Sequence, residues 1–434
     1  MLKDGRLLVI CDHDDYSHCH EDQPPGIWRW KSGDEGKNWS EARLTGVPGI
    51  EPDRIVEVAD GTLFMGSQMT FRSNRKIAEF VLRSTDGGRS WSGLSMIAQD
   101  RIHHHCEGAI VVLRGGELAC IDRENNHNGY PSYVSFSGDN GRTWSTPQPL
   151  PFAGDRPYAK QLRDGRVLVT YRNQKGNRGT HAWLGDLHRD IGYQPGGTHY
   201  DDDLVLAGGC LRLVAKPGAV TRYTLLPPES SWSDVVFEAE LQVQGPADQA
   251  AAAAEISRVG QRLDFTSNGI WINGGSYSMT DRRYLIDMTR RRTVRLEVIA
   301  NRVVLSVDGK PALNAVIFDE APLRETWFGG ISDSGGESTW FRVRYSVKNM
   351  TEPNFEWRWA AASGAYPDQY QIDRVLEVRG NPPRPGSDYP PDNGYSSWLE
   401  REDGSVYMVD YTNQGDPKPT SHLYKAELSP ADFA

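Results

Sequence analysis

Cysteine is scarce: there are five in a chain of 434 residues, an odd number, with no Cys-x-x-Cys pair. This argues against a disulfide framework. Cys106 and Cys120, which flank one hairpin pattern, are expected to be buried thiols. No long basic run is present and the net charge is −10, which argues against nucleic acid as a partner. No apolar stretch reaches membrane-spanning length, and no signal-peptide pattern opens the chain. A membrane is therefore not an expected partner. Compartment and oligomeric state are left open.

The abundant residues are aromatic or turn-forming: 13 Trp, 18 Tyr, 44 Gly and 26 Pro. That mixture suits a turn-rich all-β protein, and the length suffices for two or three domains. One pattern, Ser-x-Asp-x-Gly-x-x-Trp, occurs three times. Its copies are Ser32-Asp34-Gly36-Trp39, Ser84-Asp86-Gly88-Trp91 and Ser137-Asp139-Gly141-Trp144. They stand 52 and 53 residues apart, and a period of that size marks a repeated supersecondary unit. Asp and Ser bond their own backbone, Gly takes positive φ, and Trp packs back on the hairpin. The boxes are turn devices rather than an active site.

A second repeat agrees with the first. Asp4-Gly5, Asp60-Gly61, Gly115-Gly116, Asp164-Gly165 and Asp403-Gly404 each join two apolar runs, the strongest short hairpin signal. Four-stranded units repeated in this way make a β-propeller, and five blades are recognisable. The chain opens at Met1-Leu2-Lys3, already inside a hairpin pattern, so further strand is expected upstream. The fourth blade is interrupted. Its first two strands end near Arg172, and a degenerate box is expected at Trp357–Val378, around Ser363-Gly364. Ala250–Ala254 is expected as loop or one helical turn, and Arg290-Arg291-Arg292 as a solvated edge. The expected division is propeller over 1–199, an inserted β-sandwich over 200–348, and propeller again over 349–434.

Equal offsets from equal turns point side chains the same way. Eight residues before the first turn residue stand Pro52, Glu107, Arg156 and Tyr395. Seven after the second stand Asp12, Gln68, Arg123, Arg172 and Tyr411. All are expected to ring one mouth of the propeller axis. The result is a cationic funnel with a carboxylate and phenols, suited to an anionic ligand because Arg forks match carboxylates.

These features resemble the sialidase (neuraminidase) superfamily. The boxes are similar to its Asp-boxes, or BNR repeats. Glu107–Arg123 resembles its Glu-to-Arg segment, and Asn393–Tyr411 the segment that holds its nucleophilic tyrosine. The resemblance implies a six-bladed family of propellers and an exo-sialidase activity without cofactor or metal. It implies Tyr395 as nucleophile, Glu107 as its base, and Arg123 and Arg156 in a clamp on the sugar carboxylate. The inserted segment, with its TVRLEVIANRVVLSVDGK run, resembles concanavalin-like or laminin-G-like jelly rolls.

Some features depart from the family pattern. Its Phe-Arg-Ile-Pro motif is absent, and Arg54, with an offset of six, is the substitute for the first arginine. Asp22 is the best-spaced acid/base, with Asp14 and Asp15 competing. His103-His104-His105 have no counterpart; they fit a rim, a lyase site or, less well, a metal. Three functions follow. One is a sialidase-like hydrolase acting on an acidic glycan. The second is another glycosidase, or a lyase on acidic polysaccharide. The third is a glycan-binding propeller without catalysis, or an inactive fragment.

Overall fold

The computed structural model describes residues 2–13, 26–71, 75–101, 103–125, 130–174, 178–198, 204–215, 220–273, 283–316, 325–331, 335–350, 354–381, 392–413 and 421–433. Two compact units are present. One comprises Met1–His127, Pro131–Gly192 and Arg374–Ala434; the other comprises Asn128–Tyr130 and Tyr193–Asp373. No helix among the described residues is long and apolar enough to cross a membrane.

The first unit is a five-bladed β-propeller of antiparallel sheets. Blade one holds Leu7–His13, Gly26–Ser32 and Arg43–Leu44. Blade two holds Val56–Glu57, Leu63–Thr70, Ile77–Ser84 and Ser92–Ala98. Blade three holds His105–Val112, Leu118–Glu124, Tyr133–Ser137 and Gln148–Pro149. Blade four holds Asp155–Gln161, Val167–Asn173, Gly179–Gly185 and Val375–Gly380. Blade five holds Asn393–Glu400, Val406–Thr412 and His422–Leu428.

Apolar side chains alternate along these strands and meet between neighbouring blades. Ile27, Met65 and Phe80 join blades one and two. Phe64, Val81, Ile110 and Leu118 join two and three. Leu168, Leu184, Trp398 and Met408 join four and five. Between three and four, Phe152 stacks on Tyr171 at 4.7 Å. Burying one such side chain contributes about 1.5–3 kcal/mol, so the blade interfaces carry the stability of this unit.

The three boxes close alike. Ser32, Ser84 and Ser137 each accept the amide of the box glycine at 2.9 Å and donate to the box aspartate. Each aspartate also accepts the backbone and side chain of the residue before the tryptophan: Asn38, Ser90 or Thr143. These bonds hold the aspartates below the usual carboxylate range. In the third box Gly141 has φ 71°, and a Cβ there would come within 2.8 Å of Phe64. Gly141→Ala is therefore expected to destabilise by about 1–2 kcal/mol from backbone strain alone. More is lost as Phe64 shifts; chemical denaturation measures both.

Blade four differs from its sequence expectation. Its third strand is Gly179–Gly185, paired with Val167–Asn173 on one side and Val375–Gly380 on the other. Phe355–Ala360 does not belong to it and pairs instead with Gly336–Lys348 in the second unit. Glycines at both ends of the GTHAWLG run hide the third strand from a propensity argument.

The second unit has two antiparallel sheets of seven and eight strands. Tyr223, Phe265 and Phe328 from one sheet, and Phe237, Leu296, Trp340 and Tyr345 from the other, share one core. Burial alternates strictly along Asp234–Gln244, as a strand with one face on a core requires. Ala252–Ile256 is a strand, not a loop or helical turn. It pairs with Thr326–Ile331 and Gln261–Thr266, so cross-strand pairing overrides the helical preference of alanine.

Candidate functional site

Four inner strands break their register at one place. Cys106 faces Arg123 and Ala109 faces Ile121, so two residues stand opposite Asp122. The same irregularity falls between Asp155 and Tyr158 and between Gly394 and Ser397. In blade two Ile50 pairs with Gln68, and the Asp53 amide then bonds the Gly66 carbonyl. Each extra residue is a β-bulge. The first residue of each bulge has left-handed φ: Glu51 50°, Glu107 52°, Arg156 49° and Tyr395 56°. That conformation belongs to glycine and costs a side-chain-bearing residue about 1–2 kcal/mol. Such strain clusters at functional sites.

The bulge has a geometric consequence. It turns Glu51, Glu107, Arg156 and Tyr395 to the face that carries Gln68, Arg123, Arg172 and Tyr411. In blade two the expected Pro52 gives way to Glu51. Proline has φ fixed near −65° and cannot take the left-handed position, which moves one residue back. Glu51 is thus a site residue that the offset count missed, and Pro52 was the clue.

A continuous network joins these side chains. The Glu51 amide donates to Asp12 Oδ2 at 2.7 Å. Gln68 donates Nε2 to Glu51 at 2.7 Å and accepts the Glu107 amide at 2.6 Å. Glu107 Oε1 accepts Arg123 Nη1, and its Oε2 accepts the Arg156 amide, both at 2.9 Å. Arg123 Nε lies 2.9 Å from Asp155 as an ion pair; with no aligned hydrogen bond there, the contact is chiefly coulombic. Arg172 pairs with Asp155 at 3.5 Å and with Asp392 at 3.1 Å. The Arg156 guanidinium has only a 3.9 Å contact with Glu51 and makes no hydrogen bond among the described residues. It lies 4.8 Å from the centre of the Tyr395 ring, Arg172 lies 5.7 Å from it, and the Tyr411 ring lies 5.9 Å away.

Charge balance corrects one expectation. Arg123, Arg156 and Arg172 are met by Glu51, Glu107, Asp155 and Asp392, with Asp12 next to Glu51, so the mouth is not a cationic funnel. Burial, then the neighbouring Glu107, raises the Glu51 carboxyl above its ordinary value. Burial also raises the Tyr395 phenol; Arg156 and Arg172 pull it down, while Glu107 and Glu51 push it up. Burial alone would lower Arg123, but Glu107 and Asp155 hold it above its usual range. No hydrogen bond joins Tyr395 to Glu107, whose two oxygens are engaged as above.

The remaining expected residues lie elsewhere. Arg54 donates to the carbonyls of Ile110 and Ala159 at 3.0 and 2.5 Å, three residues further along their strands than Glu107 and Arg156. It therefore sits apart from the network. Asp22, with Asp14 and Asp15, falls outside the described residues. His103 and His105 bond Asp100, Asp122 and Tyr133, on the face opposite Arg123 because side chains alternate. Cys106 and Cys120 are free and buried, and burial raises both thiols.

Comparison with known proteins adds the following. No curated protein matches the chain. A protein of unknown function from Dyadobacter fermentans is 20% identical, over 52% of this chain and 70% of that one, with TM-score 0.35. A Trypanosoma rangeli sialidase in complex with 2,3-difluorosialic acid is 12% identical, over 79% of each chain, with TM-score 0.34. A xylan β-1,4-xylosidase from Bacillus halodurans is 10% identical, over 79% of this chain and 84% of that one, with TM-score 0.32. Likenesses this distant carry nothing about activity. The family model of BNR repeat-like domains matches residues 4–191, a stretch that covers the first three blades of the propeller and most of the fourth.

Proposed function

We propose that the chain is a sialidase-like exo-glycoside hydrolase that removes a terminal acidic sugar with retention. The observation that carries this reading is the set of four left-handed bulges, which bring Glu51, Glu107, Arg156 and Tyr395 to one network at a cost in strain. Tyr395 Oη attacks the anomeric carbon as the bond to the leaving oxygen breaks, and an acid gives that oxygen its proton. Water then displaces the tyrosine from the sugar. Glu107 serves as the base that takes the phenol proton, since a phenol is a weak nucleophile at neutral pH. A tyrosine nucleophile also avoids the repulsion that a carboxylate would meet beside an acidic sugar. Arg156, with its guanidinium donors unspent, receives the sugar carboxylate, aided by Arg123 and Arg172. Tyr411, Gln68 and Asp12 shape the surrounding wall. The segment 200–348 serves in this reading as a concanavalin-like glycan-recognising sandwich.

Turnover of a fluorogenic sialoside tests the proposal, and absence of turnover across sialosides and related acidic glycosides would sink it. The excess of carboxylates favours one second reading, a glycosidase for neutral sugars that works through Glu51 and Glu107. Activity on neutral aryl glycosides, lost in Glu51→Gln and kept in Tyr395→Phe, would establish that reading instead.

The proton donor is assigned to Asp22, with Glu51 as its rival because its carboxyl is raised towards the protonated form. Loss of the true acid is expected to lower the rate by about 100-fold or more on a poor leaving group. With an activated aryl leaving group the loss is far smaller. Parallel kinetics of Asp22→Asn and Glu51→Gln on the two substrates decide between them.

A further inference from the structure

We infer that Asp100, His103 and His105 form a binding site for one divalent transition-metal ion, of the zinc class, outside the mouth network. The three residues follow the pattern Asp-x-x-His-x-His, where the chain passes from the last strand of blade two into the first strand of blade three. One ligand atom from each lies within 4.8 Å of the others. Asp100 Oδ2 is the shared focus, 2.6 Å from His103 Nδ1 and 3.1 Å from His105 Nε2. Both imidazoles are buried, at 3% and 0% exposure, whereas the Asp100 side chain is 37% exposed and opens the cluster to solvent.

The far side of each ring is also held. His105 Nδ1 lies 2.5 Å from Asp122 Oδ2, and His103 Nε2 lies 3.0 Å from the Tyr133 hydroxyl. Metal-bound histidines are oriented in this way: the second nitrogen rests on a carboxylate or other polar group, which fixes the ring and raises its basicity. Tyr133 faces Asp122 across the sheet, so the two outer partners come from paired strands of one blade. A tetrahedral ion with bonds of about 2.0–2.1 Å keeps its donors about 3.3 Å apart. The two contacts to Asp100 Oδ2 therefore need to lengthen by less than about 1 Å to admit one. Two imidazoles and one carboxylate suit zinc, cobalt or nickel and not calcium or magnesium, which prefer an all-oxygen shell. The fourth position, on the Asp100 side, is left for water.

The test uses the full chain, treated with a chelator and then desalted. Titration with Zn2+ or Co2+ is expected to show one ion per chain, with visible Co2+ bands of a four-coordinate site. Tm is expected to rise with the logarithm of metal concentration. Asp100→Asn and His103→Gln are expected to weaken binding at least 100-fold. Asp122→Asn, which changes only an outer partner, is expected to weaken it about 10- to 100-fold with the Co2+ bands retained. His188→Gln, at an exposed histidine, leaves binding unchanged. If His103→Gln does not fold, Asp100→Asn, at the exposed edge of the cluster, decides alone. Two results would overturn the site: no stoichiometric binding, which leaves a cluster held by protons only, or undiminished binding in Asp100→Asn. Equal affinity for Mg2+ would overturn the ligand class.

Discussion

Tyr395→Phe is expected to lower kcat on an acidic aryl glycoside by about three orders of magnitude or more, the scale seen when a covalent nucleophile is removed. Tm is expected to change little. The substitution removes one oxygen from a side chain that is 47% exposed and whose hydroxyl makes no hydrogen bond among the described residues. The ring stays beneath Arg156 and Arg172, and the left-handed backbone at residue 395 is unaffected. Loss of activity with an intact fold would therefore speak to chemistry and not to packing. Glu107→Gln is not so clean a probe. Its carboxylate holds Arg123 and the Arg156 amide, so this change disturbs the frame along with any proton transfer. If Tyr395→Phe retains more than a tenth of the rate, the phenol is not the nucleophile.

The pH dependence follows from the same contacts. Burial holds the phenol above its ordinary value, so it is neutral through the physiological range and needs a base at the moment of attack. Arg156 and Arg172 favour the phenolate. Arg156→Met is therefore expected to slow the phenol's reaction as well as weaken substrate binding, lowering kcat and raising KM together.

Much of the propeller was legible because its signals are local. Each box closes within eight residues through Ser, Asp and Gly, and each Asp-Gly turn sits between alternating runs. Counting from those turns lands on Glu107, Arg156 and Tyr395, the first residues of three bulges that lie at one offset. The count failed at Pro52, where a fixed φ displaces the bulge to Glu51. It also missed Asp155 and Asp392, the partners of Arg172. Asp155 stands one residue before the counted Arg156 and Asp392 three before Tyr395, and only the fold shows that they meet Arg172. The fourth blade is hidden from the sequence for a non-local reason. Its last strand returns after the whole second unit, and nothing in the Val375–Gly380 run names Gly179–Gly185 as its neighbour. Charge balance was illegible for the same reason: counting arginines along the chain does not reveal which carboxylates they meet.

Arg123 is where the frame of the site is most exposed to damage. Its side chain is 10% exposed, that of Glu107 4% and that of Asp155 16%, so one cation serves two largely buried carboxylates. Arg123→Met keeps the length of the side chain and removes the charge. It leaves Glu107 and Asp155 side by side without their shared partner, and breaking a buried pair in this way costs about 3–5 kcal/mol. The cost depends on pH with a definite sign. Burial already holds the Asp155 carboxyl above its ordinary value, against the pull of Arg123 and Arg172, and losing Arg123 raises it further. A carboxyl raised in the folded state binds more protons there than in the unfolded chain. Its effect is therefore to lower stability as pH rises from the unfolded value, near 4, through the folded one. The gap between Arg123→Met and the natural chain should accordingly be largest at neutral pH and narrow towards pH 4, as followed by denaturant unfolding at several pH values. A gap independent of pH would mean that the loss is one of packing, and that Asp155 does not depend on Arg123 for its charge.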